Sequence, residues 1–393
     1  MYLLFYSGRS VLKYPANGYF VDIGSGWDLN ANFVRTLEFQ INQPSGRIQP
    51  EVEPTDNNNC IYVDPNASPD PTPLVMIHGL GTGSSIWLLN FDYIIEHSNR
   101  RIYAIDLLGF GRSSRPIFEL NGDVEWQLVY AIERWRKAVN LDRKFILMGH
   151  GFGAYLCLSY ALHFPKHVAH LILLDPWGIP SQQQSLQTRS TSHYPLPYWV
   201  TLVNHYILQK FSPLRWLKMA GPWGQQLLST FRTDLKQKYE QLIGKDNIEL
   251  IVQYIYHCNV QPVASGEIAF KALCTPCGWA KFPIIHRIRE LNRHIQLTFI
   301  FGSRSWIDRQ PAFQIKYLLG DHRVAVTVIQ GAGHHVYADR PLLFNELLCE
   351  TLLYVDEFQQ QTPSSSSSVS DFSVYTYDDD DRAVEDQDDG ERI

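Results

Sequence analysis

The sequence has few cysteines and no long apolar run, and both absences limit where the protein can act. Its six cysteines are scattered over 393 residues and form no disulfide framework, a pattern typical of a reducing compartment. No stretch approaches the roughly 18 consecutive apolar residues of a membrane-spanning helix. The first residues lack the basic region of a signal peptide. We therefore expect a cytoplasmic protein that is not secreted.

Motifs that bind metals or nucleotides are missing as well. The chain contains no HExxH, no P-loop and no glycine-rich dinucleotide fingerprint after a strand. The net charge of −6 is uneven, because residues 371–393 hold ten acids and two arginines and leave the remainder at about +2. A mildly basic body with an acidic tail does not indicate nucleic-acid binding. We expect no metal, no cofactor and no nucleic-acid partner.

Because 45% of the residues are hydrophobic, the chain is long and apolar enough for one large core. Composition and periodicity then divide the sequence into four parts. From residue 74 onward, short apolar strands alternate with amphipathic helices, which predicts a mostly parallel sheet with helices on both faces. The alternation stops between residues 179 and 294, where we expect an inserted helical lid. The predicted parts are an irregular segment 1–56 with an edge strand near 34–41, a core of 57–178 and 295–358, the lid 179–294, and a disordered acidic tail 359–393.

The most informative motif is Gly149-His150-Gly151-Phe152-Gly153, which follows the apolar strand 145–148 and precedes a helical pattern. It resembles the nucleophile elbow of α/β-hydrolases, where the middle position is normally serine and sometimes cysteine or aspartate. Gly151 has no side chain and supplies no attacking atom. The motif therefore predicts the α/β-hydrolase fold without its nucleophile.

The remaining catalytic positions follow in the chain order of this fold, with an acid and then a histidine after the elbow. Asp308 follows the strand 296–301, and His334 follows the strand 325–329 in a glycine-rich turn. Because the carboxyl ends of parallel strands meet at one edge, we predict that Gly151, Asp308 and His334 share a cleft under the lid. The oxyanion donors would be the amides of Phe152 and of Gly79 or Leu80.

A second motif overlaps this histidine. His334 and Asp339 fit HxxxxD, a signature of glycerolipid acyltransferases, for which acyl-CoA would be the substrate. Many α/β-hydrolases, however, carry an acid a few residues after the catalytic histidine, where it serves the fold. The sequence leaves both interpretations of Asp339 open.

Several longer motifs resemble one animal subfamily of α/β-hydrolases, and the resemblance covers roughly residues 72–355. This subfamily contains the coactivator of adipose triglyceride lipase, also described as a lysophosphatidate acyltransferase, and its sister, an N-acyl-phospholipid lipase. The motifs are Asp106-Leu-Leu-Gly-Phe-Gly-Arg-Ser-Ser-Arg-Pro116, Pro176-Trp-Gly-Ile-Pro180, Ala220-Gly-Pro-Trp-Gly224, Tyr254-Ile-Tyr-His-Cys-Asn-Val-Gln261, Gly278-Trp-Ala-Lys281 and residues 334–339.

The resemblance implies a role in lipid metabolism. The sister lipase has serine at the elbow, whereas the coactivator has asparagine, so this chain resembles the coactivator in lacking a nucleophile. The coactivator also has arginine and glycine where this chain has Arg304 and Gly333, positions linked in the family to lipase activation. Trp306 and the doubled histidine look more like the sister, and only Trp27 lies before residue 80, in contrast to the coactivator's Trp-rich amino-terminal anchor.

The implied partners are a triglyceride lipase of the adipose type, a lipid-droplet or membrane surface, and an acyl ligand in the former pocket. The implied location is the lipid-droplet surface, with mitochondrial or other membranes as alternatives. Residues 205–245 carry seven Lys/Arg and two Asp/Glu, with Tyr206, Phe211, Trp216, Trp223 and Phe231 among them. Such a segment can lie at a phospholipid surface, or it can be a solvated helix face over packed aromatics.

Three functional hypotheses remain from the sequence. The first is a non-hydrolytic regulator of triacylglycerol lipolysis that coactivates a triglyceride lipase. The second is a lysophosphatidic acid acyltransferase that uses His334. The third is a residual lipid ester hydrolase in which His334 and Asp308 activate water. The glycine at position 151 favours the first hypothesis over the third.

Overall fold

The computed structural model describes residues 12–14, 16–25, 30–40, 71–182, 217–275, 278–361 and 376–377. Within these residues, nine strands form one sheet in the order β1-β2-β4-β3-β5-β6-β7-β8-β9. The first two junctions, β1 with β2 and β2 with β4, are antiparallel, and the other neighbours are parallel. The strands are β1 (Asn17–Ser25), β2 (Ala31–Phe39), β3 (Leu74–Ile77), β4 (Ile102–Ile105), β5 (Phe145–His150), β6 (Val168–Leu174), β7 (Gln296–Gly302), β8 (Val324–Ile329) and β9 (Thr376–Tyr377).

Helices cover both faces of this sheet. Every residue of β3 to β8 is buried, and the buried apolar side chains form two large clusters. Burial on both faces explains why these strands are continuous apolar runs without alternation. The helices are α1 (Phe91–Ser98), α2 (Val124–Ala138), α3 (Phe152–His163), α4 (Gly224–Phe231), α5 (Thr233–Ile243), α6 (Glu249–Asn259), α7 (Ser265–Leu273), α8 (Gln310–Leu319), α9 (Val336–Asp339) and α10 (Pro341–Gln361).

The lid segment contains α4 to α7, all between β6 and β7. Its residues 183–216, with Tyr206, Phe211 and Trp216, lie outside the described part of the chain. Five basic side chains in the described part of 205–245 form ion pairs: Lys218 with Glu267, Arg232 with Asp234, Lys236 with Glu249, Lys238 with Asp339, and Lys245 with Glu240. The excess positive charge of this segment is therefore partly neutralised by neighbouring acids.

The structure corrects the expectation that residues 1–56 are irregular. The strands β1 and β2 form a hairpin, and β2 joins the sheet beside β4. The predicted edge strand near 34–41 overlaps β2, which is an inner strand because β1 covers its other side. Val21 and Ile23 point into the core at the alternating spacing of a half-buried strand, a signal that the Asn- and Gly-rich composition obscured.

The carboxyl-terminal part of the chain is described only in part. The helix α10 continues to Gln361, and β9 pairs with Val328 and Ile329 of β8. The rest of the predicted acidic tail, 359–393, lies outside the described residues. Among the helices that the structure describes, none is both long enough and apolar enough to span a membrane.

A buried histidine in the sheet should make stability depend on pH. His170 in β6 is 1% exposed and shares a 2.8 Å hydrogen bond with Thr298 Oγ1. Burial lowers its pKa to about 3. Because the unfolded chain binds this proton more readily, the stabilisation is present above about pH 6.5 and is lost as the pH falls towards 3.

We expect the free energy of unfolding of the wild type to fall more steeply below pH 6 than that of His170→Gln. The extra slope should be on the order of 1 kcal/mol per pH unit between pH 6 and 4. Urea unfolding of both proteins at several pH values measures it. Parallel pH profiles would show that His170 is not buried as a neutral ring.

Candidate active site

The backbone at Gly151 has the strained conformation of a nucleophile elbow. Gly151 lies between β5 and α3 with φ 53° and ψ −112°, a positive φ that favours glycine. Its amide donates to the Leu174 carbonyl at 2.9 Å, and its carbonyl accepts from Tyr155 at 3.3 Å and from Trp177 at 3.1 Å. The elbow is therefore held by the end of β6 and the start of α3 without any side chain at its tip.

The space around the elbow distinguishes Gly151 from its neighbour. A Cβ atom at Gly153 would lie 2.4 Å from the carbonyl oxygen of His78, which no real contact tolerates, so close packing of α3 on β3 requires glycine there. A Cβ atom at Gly151 would lie 3.5 Å from Nε2 of His334, an ordinary contact distance. The site has room for a side chain at Gly151, and that side chain would face the histidine.

His334 is oriented as a general base towards this position. Its Nδ1 forms a 2.6 Å hydrogen bond with Oδ2 of Asp175, and its side chain is 21% exposed. With the proton on Nδ1, the lone pair of Nε2 faces Gly151. The predicted meeting of Gly151 and His334 is therefore observed, and this histidine and its carboxylate form a complete dyad.

The predicted acid, Asp308, is not the partner of His334. Its Oδ1 accepts a 2.9 Å hydrogen bond from the Gln310 amide at the start of α8, and the residue is exposed. Asp175, directly after β6, is fully buried and accepts from the Ser305 hydroxyl as well as from His334. The loop after β7 brings Ser305 over the histidine's partner and carries Asp308 to the surface. The sequence signal that was missed is Asp175 itself, an aspartate directly after the apolar strand 168–174.

Burial controls the charges around the dyad. Burial raises the pKa of Asp175, and the hydrogen bonds from His334 and Ser305 oppose this effect. His150 donates from Nε2 to the His334 carbonyl at 3.0 Å, and burial together with the neighbouring histidines lowers its pKa well below the ordinary value. Burial and His334 likewise lower the pKa of His335 to about 3. His150 and His335 are therefore neutral at pH 7 and brace the turn.

The predicted oxyanion donors lie beside the elbow. Phe152 is the first residue of α3, and Gly79 and Leu80 follow β3. The Gly79 carbonyl accepts from His78 Nδ1 at 2.7 Å and from the Thr82 hydroxyl at 3.0 Å, while Leu80 is 40% exposed. These bonds hold the loop, and the assignment of oxyanion donors itself stays a prediction.

The acid of the HxxxxD motif serves the fold in this structure. Asp339 accepts from the Gly333 amide through Oδ2 at 2.8 Å and pairs with Lys238 of α5 through Oδ1 at 2.7 Å. The hydrogen-bonded carboxylate of His334 is Asp175 instead. Asp339 therefore supports the histidine turn indirectly, as one of the two sequence interpretations expected.

The predicted partner-contact residues, Arg304 and Gly333, lie on adjoining turns at the ends of β7 and β8. The Arg304 amide donates to the Ala332 carbonyl at 2.8 Å, and its guanidinium donates to the Gly331 carbonyl. Arg304 is exposed, and the neighbouring Trp306 is 68% exposed with its ring 5.1 Å from that of His334. One surface next to the dyad thus contains an arginine, an aromatic ring and a glycine turn.

Comparison with known proteins agrees with this geometry. The alpha/beta hydrolase family model matches residues 74–347. The 1-acylglycerol-3-phosphate O-acyltransferase ABHD5 of Homo sapiens is 44% identical over 285 residues, 72% of this chain and 78% of that protein. The (lyso)-N-acylphosphatidylethanolamine lipase of Homo sapiens is 41% identical over 304 residues, 76% of this chain and 85% of that protein. A thermophilic esterase structure from Thermogutta terrifontis has a TM-score of 0.53 at 14% identity, covers 87% of this chain and 100% of its own, and supports the fold alone.

The site combines the elbow and the histidine–carboxylate pair of an α/β-hydrolase with a glycine at the nucleophile position. The chain belongs to the α/β-hydrolase family, and its similarity to both kinds of relative confirms the resemblance seen in the motifs. The dyad can accept and return a proton, but Gly151 supplies no atom that could form an acyl-enzyme. Any acyl transfer here would need an attacking group other than residue 151.

Proposed function

We propose that this protein is a non-hydrolytic regulator of triacylglycerol lipolysis that coactivates a triglyceride lipase at the lipid-droplet surface. The observation that carries the proposal is the elbow, which keeps its strained geometry and its His334–Asp175 dyad while Gly151 removes the nucleophile. Losing a nucleophile of this kind lowers turnover by on the order of a million-fold. A fold preserved around an inert centre suits binding better than hydrolysis.

The surface beside the dyad supports a partner contact. Arginine and tryptophan are the side chains that most often dominate binding energy at protein interfaces. Arg304 and Trp306 are both exposed there, next to the turn that carries Gly333. The resemblance links Arg304 and Gly333 to lipase activation, so we assign this surface to the lipase.

The lid supports a contact with lipid. Three large apolar side chains are exposed around the start of α4: Met219 is 65% exposed, Trp223 74% and Leu227 44%. Exposed apolar and aromatic side chains can insert into the boundary of a lipid monolayer. We propose that this part of the lid contacts the droplet from the cytoplasm, with an acyl ligand held in the former pocket.

Substitution of both partner-contact residues tests the proposed function. We expect Arg304→Asn combined with Gly333→Ser to reduce stimulation of a triglyceride lipase by about tenfold or more, because buried interface arginines contribute about 2 kcal/mol or more. Stability should change by roughly 1 kcal/mol, since Arg304 is exposed and a Cβ at Gly333 would lie 3.2 Å from Asp339 Oδ2. The measurement is fatty-acid release from emulsified triacylglycerol by a purified lipase.

The matched control is Arg309→Asn, which removes a nearby exposed arginine outside the proposed surface. It should stimulate like the wild type. Full stimulation by a folded double variant would assign Arg304 and Gly333 to the fold instead of the interface.

A second candidate is a lysophosphatidic acid acyltransferase. The name of the ABHD5 relatives, which describes an acyltransferase, supports it. So does Nε2 of His334, which faces the vacant elbow and could deprotonate an acceptor hydroxyl placed there. In this mechanism Asp175, and not Asp339, would orient the base. Transfer from acyl-CoA to lysophosphatidate by the purified chain, lost in His334→Ala, would favour this candidate over the first.

A further inference from the structure

Asp339 connects the lid to the turn that carries Gly333 and His334. One carboxylate oxygen accepts the Gly333 amide at 2.8 Å, and the other pairs with Lys238 Nζ at 2.7 Å. Lys238 belongs to the lid helix α5, and Asp339 ends the short helix α9 after the histidine turn. A single side chain thus bridges two elements that are a hundred residues apart in sequence.

The bridge is shielded and oriented. The side chains of Lys238 and Asp339 are 16% and 15% exposed, so salt screens their attraction less than that of a surface pair. Lys238 also contacts Asp234 at 3.2 Å, and Arg232 holds Asp234 through two hydrogen bonds of 2.8 and 3.1 Å. Asp234, on the same helix as Lys238, therefore helps to hold the lysine side chain in the orientation that pairs with Asp339.

The lid helix is anchored to the core independently of this pair. Tyr239, the residue after Lys238, is fully buried and donates its hydroxyl proton to the Ile86 carbonyl at 2.6 Å. The position of α5 therefore does not depend on Asp339. Loss of the ion pair between Lys238 and Asp339 should therefore loosen the turn without unfolding the lid.

We propose that Asp339 is a positioning residue that couples the lid to the Gly333–His334 turn. Through the ion pair between Lys238 and Asp339, the position of the lid determines the conformation of this turn. In consequence, the lipid-facing lid and the partner surface at Arg304 and Gly333 respond together, which is a coupling between two sites. The lipid contact of the lid and the identity of the partner at that surface rest on the proposed function, whereas the coupling of lid and turn does not.

The test is amide hydrogen exchange of residues 330–336 in the full chain. Lys238→Met keeps the length of the side chain and removes its charge, and we expect exchange of the Gly333 amide to become about tenfold faster or more. Lipase stimulation should fall by roughly fivefold or more. Asp339→Asn, which loses the ion pair and gives the Gly333 amide a neutral acceptor in place of a charged one, should change exchange in the same direction by at least as large a factor.

Two variants control the interpretation. Lys236→Met removes a lysine from the same helix, but its partner, Glu249, lies within the lid, so exchange at 330–336 should match the wild type. Lys238→Arg keeps the positive charge and should restore slow exchange. Both controls separate coupling from a general loss of charge on α5.

Wild-type exchange at residues 330–336 in both Lys238→Met and Asp339→Asn would overturn the inference. If the wild type itself stimulates no lipase, the proposed function fails, while the exchange measurement still decides whether the lid positions the turn.

Discussion

Gly151→Ser is expected to convert this chain into a serine esterase. The elbow already has the backbone conformation that a nucleophilic serine adopts, and a Cβ at this position would lie 3.5 Å from Nε2 of His334. The hydroxyl, one bond further on, would come within reach of the base. We expect hydrolysis of a short-chain ester to be about a thousandfold or more faster than in the wild type. A fully effective nucleophile contributes on the order of a million-fold, so this gain is only part of that factor.

The matched control is Gly151→Ala, which places a residue with a Cβ atom at the same positive φ without supplying a nucleophile. Both variants should lose about 1–3 kcal/mol of stability because of this strain. Only the serine variant should react with a fluorophosphonate, which labels activated serines. A folded Gly151→Ser protein that neither hydrolyses esters nor reacts with the fluorophosphonate would contradict the geometry proposed for the dyad.

Asp175→Asn in the Gly151→Ser background should abolish most of the new activity. Asparagine keeps the size of the side chain, and it tolerates the positive φ of 45° at this position better than most residues. It removes the charge that fixes the tautomer of His334 and stabilises its protonated form. The corresponding change in a serine protease lowers kcat by about 10⁴-fold, and we expect a loss of similar order.

Asp308→Asn in the same background provides the comparison. Asp308 is exposed and accepts only the Gln310 amide at the start of α8 among the hydrogen bonds described, so its substitution should change kcat by less than about twofold to threefold. A large loss in Asp308→Asn with little loss in Asp175→Asn would reverse the assignment of the acid. The measurement is kcat on one ester for Gly151→Ser alone and for the two double variants that add Asp175→Asn or Asp308→Asn. Thermal unfolding confirms that each variant is folded.

The fold was largely predictable because its signals are local. The buried strands β3 to β8 are apolar runs separated by helical patterns, and the elbow needs glycines at fixed spacing. Those features indicated the parallel sheet, the lid and the meeting of Gly151 with His334. The hairpin of β1 and β2 was missed because its half-buried alternation lies in an Asn- and Gly-rich segment.

The acid of the dyad could not be assigned from order alone. Both Asp175 and Asp308 follow buried strands, and both loops reach the same edge of the sheet. The choice depends on how the loop after β7 runs, since Ser305 in this loop donates to Asp175 and Asp308 lies further on at the surface. Likewise, HxxxxD spacing does not reveal that Asp339 faces Lys238 and the Gly333 amide. Both assignments are tertiary contacts between distant residues.

The most direct test of the central claim is fatty-acid release from emulsified triacylglycerol, measured for a purified adipose-type lipase with and without this chain. We expect the chain alone to release fatty acid no faster than buffer, because Gly151 offers no nucleophile, and to increase the rate of the lipase severalfold. Absence of any stimulation, or hydrolysis by the chain alone near the usual enzyme median of about 10 s⁻¹, would show that the protein is not a non-hydrolytic coactivator.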